Sequence, residues 1–496
     1  MSPSGPDGFA LLSLPAWRLA ERVRAGDVSA VAVTEAALRR IAAEDPGRIN
    51  AFSFVDEVGA RAAAQSIEDD VRHGRGLDRP LLGVPVAIKD ELAVAGLPTT
   101  LGSRLCVGTP PPAEDCAAVR RVREAGGVIL GKTHMPEFGH KGMTDNRLGP
   151  GGAVVTTVSP ADPTRTAGGS SGGAAAAVAA GFSPLALGTD IAGSVRIPAS
   201  CCGIVGLKPT YGMIPRTPSG NSFSPIAVGP LARTAADAAL AMRVLAGPDG
   251  RDRLALPPVP PESWDVSRGL PAGLRVGWAP SLTGSEVHPG VADACRRALA
   301  RLEPASATVR DLPSLVSGAP TVRLMGAVRT LFQVLCLGWL KDVAGLPTRE
   351  AFDAAGHLMT PTFRAFAEPA WSASAAEYLE AEVTATAFAE GPAADYFAGW
   401  DVIATPTLAV PPPRTAELID QVGPERVNGE PVDRLLGWLL TWPFNLTGHP
   451  AVSVPCGTVD DPNPVPVGLQ LVAPRGADGL LLRVAAALER PAVTPA

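Results

Sequence analysis

Three polar side chains end segments that otherwise read as buried. Lys89 closes Gly83-Val84-Pro85-Val86-Ala87-Ile88-Lys89-Asp90. Ser170 sits inside Gly168-Gly169-Ser170-Ser171-Gly172-Gly173. Ser194 ends Gly188-Thr189-Asp190-Ile191-Ala192-Gly193-Ser194. An amine and two hydroxyls on three buried turns are the parts of a nucleophile with an amine base, which is chemistry suited to cleaving amide bonds. Lysine usage strengthens the reading. Of 43 Lys and Arg residues only Lys89, Lys132, Lys141, Lys208 and Lys341 are lysines. Where a generic cation would serve, this chain writes Arg, so a retained Lys points to a need for an amine that can lose its proton.

Each residue alone has an ordinary reading. Ser170 and Ser171 stand at the entry to a small-residue helix, where they are natural N-caps. The same helix start offers free N–H groups to an oxygen ligand. Small residues before Ser194 let successive N–H groups point into one hole, as an oxyanion needs; a capped turn is the alternative. Asp190 and Arg196 flank that turn and pair either to hold it or as a surface ion pair. Lys89 taken alone is an ordinary strand-end lysine. Three such features together are hard to explain as separate accidents.

The elements that must position them follow from periodicity. Ala16–Arg24, Ser29–Glu44 (with Ser29 as N-cap) and Ala60–Val71 have helical spacing. Leu81–Ile88 reads as a buried strand. Cys116–Ala125 reads as a helix followed by a strand at Val128–Leu130. Gly172–Ala180 is a helix narrow enough for other backbones to approach closely, and Phe182–Leu187 is the next strand. Leu274–Trp278, Asp401–Ala404, Val452–Pro455 and Val467–Val472 add strands, and Val291–Leu302 and Gly479–Glu489 add helices. Ser314 to Gly399 is mostly helical. Phe9–Trp17 reads as a loop leading into a helix rather than a secretion signal. This alternation predicts an α/β chain with a central sheet covered by helices on both faces.

The chain resembles the amidase signature family, the serine amidases with a Ser-Ser-Lys triad. The resemblance rests on Gly83–Asp90, Gly131–Gly139, Arg165–Gly181, Gly188–Pro198 and Gly203–Gly212. Gly229–Arg233, Ala404–Thr407, Trp442–Gly448 and Pro466–Gln470 also fit, so it spans nearly the whole chain. The two serines lie 24 positions apart, as the family pattern requires. The resemblance implies one large domain with a twisted mixed sheet sandwiched between helices. It implies Ser194 as nucleophile, Ser170 as bridging serine and Lys89 as base. The backbone N–H groups of Ile191, Ala192, Gly193 and Ser194 would form the oxyanion hole, supported by Ser171, Asp190 and Arg196. Within one domain, residues 1–75 are expected as a helical segment and 76–250 as the catalytic core. Residues 251–399 are expected as a substrate-specificity region and 400–496 as the return to the sheet.

Two departures stand out. Ala192 replaces a second glycine found in many relatives, which is tolerable if its φ stays negative. Asn221–Ala227 lacks the Ser-Leu-Asp run of the glutaminase component of tRNA-dependent amidotransferases. That component remains one alternative; an acyl transferase or esterase with the same triad is another. A catalytically silent scaffold would have lost a triad residue, and none is lost.

Other signals bound the function. Gly126–Thr133 matches a phosphate-binding loop in letters, but a helix precedes it and its middle is itself a strand, so nucleotide binding is rejected. Lys141 and Gly139 are candidate substrate contacts; Lys141 reads either as a surface cation or as a partner for an acidic or polar substrate group. His134 is structural or lines the site. No residues have metal-ligand spacing, and no cofactor is implied. A net charge of −6 with no basic run argues against nucleic acid. No stretch of about 18 apolar residues is free of charge and turn formers, which argues against a membrane span. Seven scattered cysteines suit thiols in a reducing cytoplasm. The Ala-, Arg- and Pro-rich composition suggests a GC-rich bacterial source. The expected partner is a small amide substrate, and a homodimer is compatible.

Overall fold

The computed structural model describes residues 7–217, 226–305, 307–417 and 420–489. Eleven strands form one mixed sheet: β1 (Phe52–Val55), β2 (Pro85–Lys89), β3 (Val128–Thr133), β4 (Leu185–Asp190), β5 (Val205–Lys208), β6 (Ala227–Ala232), β7 (Arg275–Trp278), β8 (Thr308–Asp311), β9 (Val402–Pro406), β10 (Ala451–Asp460) and β11 (Pro464–Val472). Their order across the sheet is β1-β3-β2-β4-β6-β5-β10-β11-β9-β7-β8. The β3-β2-β4 and β9-β7-β8 pairings are parallel and the others antiparallel.

Burial explains the short apolar runs. All five residues of β2 and all six of β4 are buried, as expected for strands covered on both faces. Val86, Ile88, Leu185 and Leu187 enter one core, while Ala87 and Ala186 enter another on the opposite face. That is the period-2 alternation of a pleated strand. One face is covered by helices including Ala235–Leu245, Pro289–Ala300 and Asp478–Glu489. The other is covered by Ala30–Glu44, Glu57–Arg72 and Gly172–Ala179. Ser29 caps its helix as read, its Oγ accepting the Ala32 N–H at 3.1 Å. Gly172–Ala179 is close-packed as read: a Cβ on Gly173 would stand 2.3 Å from the Ala51 carbonyl oxygen.

The structure corrects several boundaries. Asp7–Leu12 is a helix, so most of Phe9–Trp17 is not a loop; Pro15 then caps the next helix, Ala16–Arg24. The strand at Val128 runs on to Thr133, because Lys132 is buried within it instead of turning outward. The strand expected at Phe182–Leu187 lies three residues later and carries Thr189 and Asp190 to its end. β6 was invisible as a strand because it is Gly- and Pro-bearing, yet Pro230 lies in the sheet interior opposite Leu187; proline is normally confined to edges and bulges. Segments outside residues 76–250 also supply strands to the sheet. Residues 1–75 contribute β1, and 251–399 contribute β7 and β8, to the same sheet. The helix Ala319–Asp342 is long and apolar enough, by length and composition, to cross a membrane. Here Leu324, Val328, Phe332, Leu335, Trp339 and Leu340 pack into the protein core.

The C-terminal end of β4 is tied to the far part of the chain by one ion pair. Arg196 and Asp190 side chains are both fully buried, with Nη2–Oδ1 at 2.8 Å and Nε–Oδ2 at 3.0 Å. Arg196 also donates to the Thr441 carbonyl, Gln470 Oε1 and Asn445 Oδ1 at 2.6–2.8 Å. Removing one partner of such a pair leaves a buried charge. Arg196→Met should therefore lower stability by about 3–5 kcal/mol, read as a drop in the denaturant midpoint; a change under about 1 kcal/mol would contradict this role.

Candidate active site

Lys89, Ser170 and Ser194 come together from three elements. Lys89 ends β2 and is fully buried. Ser170 precedes the helix Gly172–Ala179, and the Gly169–Ser170 peptide bond is cis. Ser194 lies between β4 and the helix Arg196–Cys202. Lys89 Nζ donates to Ser170 Oγ at 2.8 Å and to Thr189 Oγ1 at 2.7 Å. Ser170 and Ser194 line one small cavity with Gly139, Ile191 and Trp339. Burial pushes the Lys89 ammonium below its ordinary value; the nearby Glu91 carboxylate, 3.4 Å away, pulls the other way.

Asp190 builds the turn that carries Ser194. Besides Arg196, its carboxylate accepts the N–H groups of Gly193 at 2.8 Å and Val195 at 3.1 Å, and Asn445 Nδ2 at 2.9 Å. Burial pushes this carboxyl up, but the Arg196 charge and these hydrogen bonds outweigh burial and hold it below the usual range. Of the two readings of Asp190 and Arg196, a pair that holds the turn and a surface ion pair, the first holds: both side chains are buried. Asp190 also engages one of the four N–H groups expected to receive an oxyanion. The Gly193 N–H is already given to Asp190, whereas those of Ile191, Ala192 and Ser194 have no acceptor among the described residues. Ala192 stays outside the left-handed region, as its methyl requires. Gly193 does not: its φ is +124°, and a Cβ there would meet Thr441 Oγ1 at 2.1 Å.

Ser171 does not cap its helix. Its Oγ donates to the Thr189 carbonyl at 3.2 Å, and its N–H to the Ser194 carbonyl at 3.0 Å, so it fastens two of the three turns together. Gly139 lines the cavity with a φ of +68°, and a Cβ there would stand 3.1 Å from Ser170 Oγ. Lys141 is neither a surface cation nor a free partner for a substrate acid. It is buried, 2.7 Å from Asp145 Oδ1, and donates to the Gln421 carbonyl at 3.0 Å.

The remaining motifs resolve as architecture. Lys132 donates to the carbonyls of Asp90 and Pro98 and to Thr99 Oγ1, which ends the phosphate-loop reading. His134 accepts from Asn146 Nδ2 at 2.9 Å, and burial lowers its pKa to about 4. His140, pushed by burial and by Lys141 to about 3, bonds Glu137 and Thr362. Both imidazoles are neutral at physiological pH. No group of three or more metal-ligating side chains occurs among the described residues. The segment Asn221–Pro225 lies outside them, so the missing Ser-Leu-Asp run has no structural account here.

Two site residues escaped the sequence reading: Thr189, which accepts from Lys89, and Glu91, which stands beside it. Glu91 lies two residues beyond Lys89, the spacing that returns to the same side of a strand. Thr189 had no comparable signal.

A second cavity adjoins the first and shares Gly139, Ile191, Ser194 and Phe332 with it. Its further wall is mainly apolar, with Ile197, Val328, Leu435, Leu436 and Leu439.

A mixed sheet sandwiched by helices, with Ser170 and Ser194 on one cavity and the Lys89 amine bonded to Ser170 behind it, describes an amide-hydrolysing enzyme. The chain belongs to the Amidase family, whose pattern matches residues 32–482. It is 36% identical to an acylamidase of Rhodococcus erythropolis over 96% of this chain and 95% of that one. It is 39% identical to a glutamyl-tRNA(Gln) amidotransferase component of Acidothermus cellulolyticus, covering 97% and 94%. Among solved structures it resembles a bacterial aryl acylamidase of the amidase signature family, with a TM-score of 0.85 at 28% identity and 96% of both chains covered.

The buried Lys141–Asp145 pair makes its own prediction. Lys141→Ala should destabilise the fold by about 3–5 kcal/mol and affect acidic and neutral substrates alike, measured by denaturation and paired kinetics; a loss confined to acidic substrates would restore the recognition role.

Proposed function

We propose that the protein hydrolyses small carboxylic amides with an apolar acyl half, through an acyl-enzyme on Ser194. The 2.8 Å contact between Lys89 Nζ and Ser170 Oγ, beside a cavity that Ser170 shares with Ser194, carries the reading. Neutral Lys89 accepts the Ser170 proton as Ser170 takes that of Ser194. Ser194 Oγ attacks the carbonyl carbon, and the N–H groups of Ile191, Ala192 and Ser194 receive the oxyanion. The proton returns through Ser170 to the leaving nitrogen as the C–N bond breaks. Water then enters, gives its proton to the same relay, and frees the acid. An unperturbed lysine leaves only about one amine in a thousand neutral near pH 7.4, so the burial of Lys89 is a functional requirement.

The cavity lobe holding Ser170 receives the leaving group, because Ser170 must reach its nitrogen. The lobe lined by Val328, Leu435, Leu436 and Leu439 then receives the acyl half. Val328, Phe332 and Trp339 come from the helix Ala319–Asp342, which supports the 251–399 region as the source of specificity. The similarity to an amidotransferase component keeps a glutaminase reading open. Against it, the charged side chains on the acyl wall are already engaged, Lys141 with Asp145 and Arg329 with Asp433 at 2.5 Å. Seven buried, unbridged cysteines support a reducing, cytoplasmic setting.

Ser194→Ala should abolish turnover and fluorophosphonate labelling; retained labelling moves the nucleophile elsewhere. Lys89→Ala should lower kcat by about 10²–10⁴. Protonated Lys89 cannot accept a proton, so activity should rise with pH through an ionisation below the ordinary lysine value of 10.5; a flat profile across that range removes Lys89 as the base. Hydroxylamine added to the assay should divert the acyl group from the free acid to a hydroxamate; no hydroxamate would count against the acyl-enzyme.

A further inference from the structure

Glu91 brings a carboxylate into the leaving-group lobe, where the hydrolytic reading gives it no task. Its side chain is only 10% exposed and lines the cavity with Ser170 and Ser194. The two oxygens differ. Oε2 accepts from Thr189 Oγ1 and faces Lys89 Nζ at 3.4 Å. Oε1 is buried and has no hydrogen-bond donor. Arg216 Nη2 stands 4.0 Å from it, beyond hydrogen-bond reach. A buried carboxylate oxygen left without a donor is costly.

The chemistry of Lys89 sharpens the imbalance. Lys89 must be neutral to act as a base, and in that state it no longer offsets the Glu91 charge. The working enzyme then holds a nearly buried carboxylate on the wall of the leaving-group lobe, whose remaining ion-pair partner, Arg216, stands 4.0 Å from Oε1 and gives it no hydrogen bond. Apart from Glu91, every residue lining that lobe is uncharged.

We propose that Glu91 is a specificity-determining residue that binds an ammonium, or another cationic N–H donor, carried on the amine half of the substrate. The donor occupies Oε1 and supplies the counter-charge that neutral Lys89 gives up. Trp339 lines the same lobe, and an aromatic ring is a favourable neighbour for a cation. This subsite rests on the hydrolytic reading above, since it assumes that the lobe with Ser170 receives the leaving group.

The test compares three amides on wild type and Glu91→Gln. These are the hexanoyl amide of ethylenediamine, singly protonated, the isosteric hexanoyl amide of propylamine, and β-alanine propylamide, which puts the ammonium on the acyl side. The kcat/KM ratio of the ethylenediamine amide over the propylamine amide should fall by about tenfold or more in Glu91→Gln, the scale of a lost hydrogen bond to a charged group. The β-alanine ratio should move far less. An equal change on all three substrates, as from a merely structural role or from altered Lys89 protonation, overturns the subsite. A loss confined to the β-alanine amide overturns its placement on the amine side. If Glu91→Gln does not fold, protection decides in the wild-type protein. Propylammonium should slow fluorophosphonate labelling of Ser194 more than propanol does, and equal protection overturns the proposal. Absence of labelling at Ser194 would instead sink the nucleophile assignment, and the subsite with it.

Discussion

The buried pair between Asp190 and Arg196 organises the site from beneath. Two charges out of water are costly unless every lone pair and proton is used. Here they are: Asp190 accepts from Arg196, Asn445, Gly193 and Val195, and Arg196 reaches Thr441, Asn445 and Gln470. One carboxylate thereby bends the chain from Asp190 to Val195 around itself. That bend turns the N–H groups of Ile191, Ala192 and Ser194 away from internal partners. It also joins the early part of the sheet to segments near the chain's end, Arg196 and Asn445 being 249 positions apart. The Trp442–Gly448 and Pro466–Gln470 motifs exist in part to complete this one cluster.

A second constraint acts on Lys89. Its Nζ is buried among acceptors: Ser170 Oγ, Thr189 Oγ1 and, at 3.4 Å, Glu91. Burial favours the neutral amine that a base requires, and Glu91 opposes it. An enzyme that wanted only the most neutral lysine would not keep that carboxylate. Its retention makes sense if the charge has another partner during turnover. In the proposed mechanism, the opposition between Lys89 and Glu91 links proton transfer to the choice of substrate.

Much of this was legible from residue order. The buried run of β2, the narrow helix at Gly172 and the glycine-rich turn before Ser194 all follow from local composition, because sterics and burial act on neighbours in sequence. The Ser29 cap and the rejection of Gly126–Thr133 as a phosphate loop followed from the same local rules, and both agree with the structure. Local rules failed where distant partners decide. Pro230 sits in an interior strand because β4 and β5 flank it. Lys132 stays buried because the Asp90, Pro98 and Thr99 acceptors surround it, and Lys141 turns inward to Asp145 and Gln421.

By itself, then, the sequence determined the kind of chemistry. An amine and two hydroxyls on small-residue turns, with matching motifs along nearly the whole chain, leave few other uses. Tertiary structure decided which groups are free to act. The Gly193 N–H, identical in sequence terms to its neighbours, is taken by Asp190. Thr189 becomes part of the lysine's surroundings only because β2 lies parallel to β4. Glu91 keeps one oxygen without a hydrogen-bond donor only because the elements packed around it bring none within reach, Arg216 stopping at 4.0 Å. Availability of a polar atom depends on every element packed against it, and no one-dimensional pattern records that sum.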